Sequence, residues 1–421
     1  MTARSYDLER VRSHFPGLSR LHANEPIIFF DNPAGTQIAC EAMNRMVDAM
    51  TYVNANLGGK FKSSIEAETM VREVHAIASD FVGASDPEEI FFGQSMTALT
   101  FAMSRSLGGL FAPGDEIILT RMDHDANITP WVMLAEERGL TIRWLDFDPE
   151  TFRYDLSTLD ELIRPKTRLV AINHASNVLG TVNDVSEVVR AAKSVGAFAY
   201  IDAVQSAPHV LLDIKKLDCD FLVCSAYKFY GPHYAIFWGR RSILENLIAY
   251  NVRAASPLLP FKFVMGTTNR EALAGIRGAI EYIEWLGVEF GRAEVEATRR
   301  DRIIGGIEVM RAHEEILMRR LIDGLSRIKG LCVLGPGSSE CHDRVPTVSF
   351  VLDGHNPMAI AAFLGNCGIN LWHGHNYAVE AMKRLGLLHK GGVVRIGPAH
   401  YNSTDEIDRM LGVLREYLAK A

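Results

Sequence analysis

Two short apolar runs in the middle of this chain each end on polar side chains. Tyr200-Ile-Asp202-Ala-Val-Gln205 brings an acid and an amide after one run, and Val223-Cys-Ser225-Ala-Tyr-Lys228-Phe-Tyr-Gly231-Pro brings a hydroxyl and a lysine after the next. About two dozen residues separate acid from lysine, the length of a helix-and-strand return between parallel strands. A lysine amine condenses with an aldehyde to a Schiff base. A carboxylate keeps a ring nitrogen protonated, so that the ring accepts electrons from a carbanion. Together these are the requirements of a pyridoxal phosphate site. Plainer readings exist: Asp202 as a turn residue and Lys228 as a solvated lysine. The apolar and aromatic neighbours Tyr227, Phe229 and Tyr230 favour a desolvated, reactive amine.

Other polar residues fall at equivalent places. Asn173 and His174 end a further apolar run, with Asn177 just beyond. In open α/β sheets, ligands bind at the carboxyl ends of the strands, so this convergence is the main argument for a site. Gly93-Gln-Ser95-Met96-Thr97 follows another run and opens a helical stretch. Amides at a helix start plus hydroxyls bind phosphate, although Ser and Thr are also ordinary N-caps. Beside Asp202 and Lys228 the phosphate reading is preferred. His124 lies in Asp-His124-Asp-Ala-Asn-Ile-Thr-Pro-Trp131, where an imidazole could stack on a ring and move protons; a plain loop histidine is the alternative. The spacing of Asp123, His124 and Asp125 does not suit a metal, and no metal is expected. Arg395 sits in the glycine-flanked apolar run Gly391-Gly-Val-Val-Arg395-Ile-Gly397. A bidentate clamp on a substrate carboxylate and a structural salt bridge are equally open for it.

These residues need a scaffold. Runs at Glu89–Phe92, Glu116–Leu119, Ile142–Leu145, Arg168–Asn173, Phe198–Asp202 and Phe221–Ser225 alternate with helical patterns, which predicts a mostly parallel sheet covered by helices. Ala235–Trp238 follows too closely for a helical crossover, so it pairs antiparallel or joins the sheet edge. Beyond residue 269, Leu273, Ile276, Ile280, Ile283 and Leu286 share one helical face. Ile307, Met310, Ile316, Leu317, Leu321, Leu325 and Ile328 share another, stopped at Lys329-Gly330. Runs at Thr347–Val351 and Val393–Ile396 then predict a smaller α+β domain. The expected division is residues 1–25 as a segment packed on the small domain, 26–290 as the large domain and 291–421 as the small one.

At 421 residues, 48% hydrophobic and 23% charged, the chain can bury a large core. The net charge of −7 argues against a general nucleic-acid or anionic-membrane binder. No apolar run approaches a membrane span. The N-terminus lacks the apolar core of a signal peptide, and six scattered cysteines fit a reduced cytoplasmic protein. No internal repeat is apparent. A dinucleotide enzyme is disfavoured, because no Gly-x-Gly-x-x-Gly follows the first strand.

The motifs in combination resemble the class V aminotransferase family of fold-type I pyridoxal phosphate enzymes, especially its cysteine desulfurase-like branch. The resemblance runs from Phe30-Asp-Asn-Pro-Ala-Gly-Thr36 through His124–Trp131, Ser176–Thr181, Asp202–Ser206, Ser225–Pro232 and Gly266-Thr-Thr-Asn to Arg395 and His400. It implies a mostly parallel seven-stranded large domain, with Lys228 as the Schiff-base lysine, Asp202 at the pyridine nitrogen and His124 stacked on the ring. Asn177 and Gln205 would lie near the ring hydroxyl. Ser95, the Met96 backbone, Thr97 and Ser225 would hold the phosphate, with Tyr227 able to donate to it in place of a common histidine. Gly266 and Thr267 would reach the phosphate of a partner subunit, implying a homodimer with shared sites. Arg395 would bind the substrate carboxylate, and Asn32, Asn56 and Tyr377 would line the substrate pocket.

One departure matters. Desulfurases of the nearest branch carry a persulfide cysteine in a Gly-His-His-Cys type loop, where this chain reads Trp372-His-Gly-His-Asn376-Tyr377. Cys367 lies upstream, in an apolar stretch read as a strand of the core. The expectation is therefore an enzyme acting on an α-amino acid by β-elimination, C–S lyase type, without a cysteine persulfide. Transamination or epimerisation is the alternative, and a non-catalytic regulator the more distant one.

Overall fold

The computed structural model describes residues 5–420; Met1–Arg4 of the expected N-terminal segment and the terminal Ala421 lie outside them. Seven strands form the large sheet: β1 (Ile90–Gly93), β2 (Glu116–Thr120), β3 (Thr141–Leu145), β4 (Thr167–Asn173), β5 (Phe198–Asp202), β6 (Phe221–Ser225) and β7 (Ala235–Gly239), in the spatial order β1-β7-β6-β5-β4-β2-β3. Strands β3, β2, β4, β5 and β6 pair in parallel. Strand β7 is antiparallel to both β6 and β1, because the nine residues between Ser225 and Ala235 leave room for a turn and no crossover.

Alternation along these strands feeds two cores. Ile118, Val170, Ile172, Ile201 and Leu222 face one layer, while Ile117, Leu119, Leu169, Tyr200 and Val223 face the other. Helices cover both faces, so the strands read as continuous apolar runs rather than as alternating ones. The chain leaves β2 for β3 on one side and returns to β4 on the other. The carboxyl ends of β2 and β4 therefore part at a topological switch point, where a cleft opens.

A second sheet follows: β8 (Leu331–Leu334), β9 (Val348–Leu352), β10 (Trp372–Gly374) and β11 (Val393–Ile396), ordered β8-β9-β11-β10 and antiparallel throughout. Its core takes Leu317, Leu321 and Leu325 from the long helix Arg299–Ser326 and Ile407 and Met410 from the helix Thr404–Lys420. Residues 28–31 tie the two units. Ile28–Phe29 pairs in parallel with Ile369–Asn370, and Asp31 bridges to Gly397. The N-terminal segment touches both, with Arg12 Nη1 on Glu406 and on the Tyr401 carbonyl and Phe15 packed edge-on against Tyr230 and Tyr282.

Three local expectations need correction. Glu89 belongs to a 3₁₀ turn, Pro87–Glu89, because Asp86 caps it and Pro87 starts it. Ile316 is 58% exposed, unlike Leu317 beside it, because one residue turns the helix about 100° off the buried face. Cys367 is not in a strand. It caps the end of the helix Pro357–Asn366, which Asn356 caps at its start and which left-handed Gly368 terminates.

The helices Arg270–Glu289 and Arg299–Ser326 cross at glycines. A Cβ at Gly306 would strike the Ile283 carbonyl, and one at Gly287 the Arg302 carbonyl. Gly306→Ala should therefore destabilise the protein by about 1–3 kcal/mol or more. Gly412→Ala, on a helix with open space around it, should be neutral or gain about 0.5–1 kcal/mol. Thermal denaturation of the two variants side by side checks both signs.

Candidate active site

The cleft at the switch point holds a cavity lined by Ser95, His124, Asn173, Asp202, Ser225 and Lys228, among others. The loops after β1, β2, β4, β5 and β6 all reach it. Lys228 closes a short turn, Ala226–Lys228, directly after β6. Its side chain is buried. Its Nζ donates to the backbone carbonyls of Pro33 at 2.5 Å and Ala34 at 2.9 Å, and lies 4.8 Å from the Tyr227 ring centroid. Burial holds its pKa well below the usual lysine range, Arg395 pushes the same way, and Asp202 opposes them. A neutral amine has two N–H groups for these two carbonyls and keeps its lone pair for chemistry.

Asp202 ends β5, buried, with the Val204 N–H donating to Oδ1 at 2.8 Å. Desolvation raises its pKa to about 6, against the pull of that N–H and of Lys228. His124 follows β2. Its Nδ1 accepts from the Ala126 N–H at 3.0 Å, so the neutral ring carries its proton on Nε2. Desolvation, then Lys228 and Arg395, push its pKa down to about 3. The imidazole is neutral at any working pH.

Ser95 caps the helix Met96–Gly108, with Oγ accepting from the Ala98 N–H at 3.1 Å. The N–H groups of Met96 and Thr97 make no hydrogen bond within the described chain, and both residues line the cavity with Ser225. This is an anion cradle of amides and hydroxyls at a helix start. Gln205 donates from Nε2 to the Pro33 carbonyl at 2.8 Å, sharing that acceptor with Lys228. Asn177 donates from Nδ2 to the Asn376 carbonyl at 2.7 Å, while its Oδ1 is buried without a partner. Arg395 is buried on β11, with Nη1 donating to the Asn177 carbonyl at 2.9 Å and Nε unpartnered. Its pKa is lowered to about 10 by burial.

Pyridoxal phosphate fits this donor set. A neutral amine, a carboxylate, a free-amide cradle and two buried polar atoms without partners at Asn177 and Arg395 are what its aldehyde, ring nitrogen, phosphate and polar substituents need. Among the described residues no group of three or more His, Cys, Asp or Glu is placed to hold a metal ion.

The structure does not bring every expected residue to the cavity. Asn32 spends its amide on the Phe29 and Gly397 carbonyls, at 2.8 and 2.7 Å, and accepts from Tyr401. It clasps the strand connection instead of lining the cavity. Asn56 is exposed, with Oδ1 accepting from Arg270 at 3.3 Å. Gly266 and Thr267 are exposed, outside the cavity of their own chain. Tyr377 is 64% exposed at the mouth, its ring stacked on His124 with centroids 5.4 Å apart. Its carbonyl accepts from the Asp125 N–H at 2.7 Å, and both Asn376 and Tyr377 have left-handed backbones, φ 50° and 57°. Sequence reasoning weighed Asp123 only as a metal ligand and passed over Tyr154; the two belong to a hydrogen-bonded network behind the cavity wall. The unusual acid before His124 was the one available signal for it.

Because the folded pKa of Asp202 lies above the unfolded value of about 3.9, the cofactor-free protein should lose stability as pH rises from about 4 to about 6, by roughly 3 kcal/mol in all. Asp202→Asn should flatten that slope and stabilise the cofactor-free protein at about pH 8 by roughly 1–3 kcal/mol, while weakening cofactor binding. Denaturation curves at pH values on either side of the window test it.

A sequence model of the family described as Aminotransferase class-V matches residues 28–304 and 302–410. A cysteine desulfurase of Serratia proteamaculans (strain 568) is 32% identical over 428 residues, spanning 98% of each chain. One from Dickeya dadantii (strain 3937) is 30% identical, spanning 97% of this chain and 96% of its own. The apo structure of a cysteine desulfurase from Thermococcus onnurineus NA1 superposes with a TM-score of 0.86 at 28% identity, over 100% of both chains. The cysteine desulfurase CsdA of Escherichia coli, at 21% identity and TM-score 0.81 over 99% of both, shows the shared fold. With this match across nearly its whole length, the chain belongs to the class-V aminotransferase family of pyridoxal phosphate enzymes, in its cysteine desulfurase-like part.

Proposed function

We propose that this enzyme removes a sulfur-bearing β-substituent from an α-amino acid and releases it directly, without passing sulfur to a cysteine of its own. The observation that carries this reading is the Asn376–Tyr377 segment. A desulfurase needs an exposed, mobile thiolate there. Here stands a tyrosine whose segment is pinned by the Asp125 amide, by the Asn177 amide and by stacking on His124. Among the described residues no cysteine lines the cavity: Cys219, Cys224 and Cys341 are buried, Cys40 and Cys367 half-buried, and Cys332 exposed on β8.

Bound pyridoxal phosphate supplies the electron sink for a carbanion at Cα. The chain supplies the rest. Arg395, unpartnered at Nε and tied at Nη1, receives the substrate carboxylate and orients it. Asp202 would hold a proton on the ring nitrogen of the bound cofactor. Lys228, kept neutral by burial and by Arg395, would take the Cα proton onto Nζ. Neutral His124 would cover the ring and offer its Nε2 proton. The C–S electron pair leaves with the sulfur, and the remaining three carbons hydrolyse to pyruvate and ammonia.

A homodimer belongs to the same reading. Ile248, Tyr250, Val252, Leu258 and Met265 are all more than half exposed in the stretch leading to Gly266-Thr267, an apolar surface of the kind that a second copy covers. Sedimentation should give a dimer, and Met265→Asp should weaken it together with cofactor retention; a monomeric wild type with full cofactor would overturn this part.

For the chemistry, cysteine and S-substituted cysteines should yield pyruvate and free sulfide or thiol. Alanine plus a persulfide on any cysteine, read by mass spectrometry after alkylation, would sink the proposal. Amino transfer to a keto acid without pyruvate would assign transamination instead. Lys228→Ala should lose the visible absorbance that borohydride bleaches, and about 10²–10⁴-fold or more in turnover.

A further inference from the structure

Behind the cavity wall four side chains form a continuous string of oxygen contacts. Asp123 Oδ2 meets Thr120 Oγ1, Thr120 Oγ1 lies 2.6 Å from the Tyr154 hydroxyl, and that hydroxyl lies 2.6 Å from Asn173 Oδ1. Each oxygen pair at such a distance needs one proton between its members. The orientation of the Asn173 amide is settled by its neighbours. Its Nδ2 donates to the Met122 carbonyl at 3.0 Å, and its Oδ1 accepts from Asn183 Nδ2 at 3.0 Å. Tyr154 must therefore donate to Asn173, which uses its only proton. Thr120 must then donate to Tyr154, which uses its own. The contact between Asp123 and Thr120 is left without a proton unless the carboxyl provides it. An ionised Asp123 gives two protons for three oxygen pairs; a protonated one gives three for three.

We propose that Asp123 is held as a neutral carboxylic acid and heads a directed string of hydrogen bonds, Asp123 to Thr120 to Tyr154 to Asn173, that positions Asn173 in the cofactor cavity and leaves Asp202 as its single anionic carboxylate. The remaining contacts agree. Asn127 Nδ2 donates to Oδ1 at 2.7 Å, and the Asn173 N–H to Oδ2 at 3.1 Å, which saturates the acid without a cation. Asp123 is 1% exposed. Burial, and then the charge of Asp202, raise its pKa well above the carboxylate range, against the pull of Thr120, Asn127 and Asn173. The other titratable group facing it is the Tyr154 phenol, itself held protonated by burial.

The arrangement has a purpose at the ring. Asn173 is the register partner of Asp202 across β4 and β5 and lines the cavity beside it. Asp202 already sits near the edge of protonation. A second anion at Asp123 would drive it further, and a protonated Asp202 would not hold a proton on the ring nitrogen. Asp123 is a positioning residue, and its role is independent of which reaction follows.

Infrared difference spectroscopy of wild type against Asp123→Asn tests this, on cofactor-free and cofactor-loaded protein at about pH 8, where Asp202 is ionised. The wild type should show the carbonyl stretch of a protonated carboxylic acid, sensitive to D₂O, that the variant lacks. Loss of carboxylate stretches alone would overturn the proposal. Thr120→Ser covers the case in which the asparagine variant fails to fold. It keeps the hydroxyl between Asp123 and Tyr154, so it should shift the protonated band without removing it; a shift confined to carboxylate bands would count against the proposal. In the loaded protein, Asp123→Asn replaces one neutral group by another, so the pH midpoint of the visible absorbance should move by less than about 0.3 unit. A shift of about a unit or more is the signature of a removed charge and would also overturn it.

Discussion

The fold withholds a carboxylate partner from the buried amine of Lys228, and most of the architecture around the cleft serves that condition. Two carbonyls, Pro33 and Ala34, accept from Nζ. They come from the strand connection 28–36, which no residue of the large sheet could supply. That connection is locked at several points: Thr36 N–H donates to the Tyr227 carbonyl, Asp31 bridges Gly397, and the Asn32 amide clasps Phe29 and Gly397. The small sheet, through Ile369–Asn370 and Gly397, therefore helps hold the acceptors of a lysine on the large one.

The charges are arranged around the same condition. Arg395 and Asp202 act on Lys228 with opposite signs, and burial outweighs both. Arg395 keeps no acidic partner within ion-pair distance among the described residues, although Asp31 acts on it from nearby. Leaving a guanidinium unpaired in the interior costs stability. A structural salt bridge would relieve that cost and would also remove the cation from the cleft. The unpaired arrangement supports the proposed role of Arg395 toward a substrate carboxylate. The neutral acid inferred at Asp123 belongs to the same economy of charge, which confines negative charge in the cavity to Asp202.

Much of the site was legible before the fold. Strand ends followed by Asn173, Asp202, Ser225 and Lys228 converge because parallel strands share one direction, and residue order alone conveys that direction. The Ser95 cap and its free amides were legible for a similar reason, since helix starts are local chemistry. Asn32 and Asn56 were not. An asparagine in a loop looks the same whether its amide turns to a cavity, to backbone carbonyls or to an arginine, and only packing chooses among these. Cys367 misled because a short apolar run has no period that separates strand from helix, and the decisive signal was the Asn356-Pro357 start.

Sequence by itself determined the sheet, its direction, the lysine and acid at adjacent strand ends, and the residue types of the loop around Tyr377. These are properties of residue type and order, governed by periodicity and turn chemistry over a few residues. Tertiary structure decided the protonation states, because they depend on what surrounds each group across hundreds of residues. The Lys228 amine meets carbonyls nearly two hundred residues upstream, and Arg395, on the second sheet, meets the Asn177 carbonyl of the large domain. The proton count at Asp123 requires Tyr154 and Asn173 to be brought beside Thr120. Desolvation and hydrogen bonding are local in space and not in sequence, so the chain specifies which groups are present and the fold alone specifies which of them carry charge.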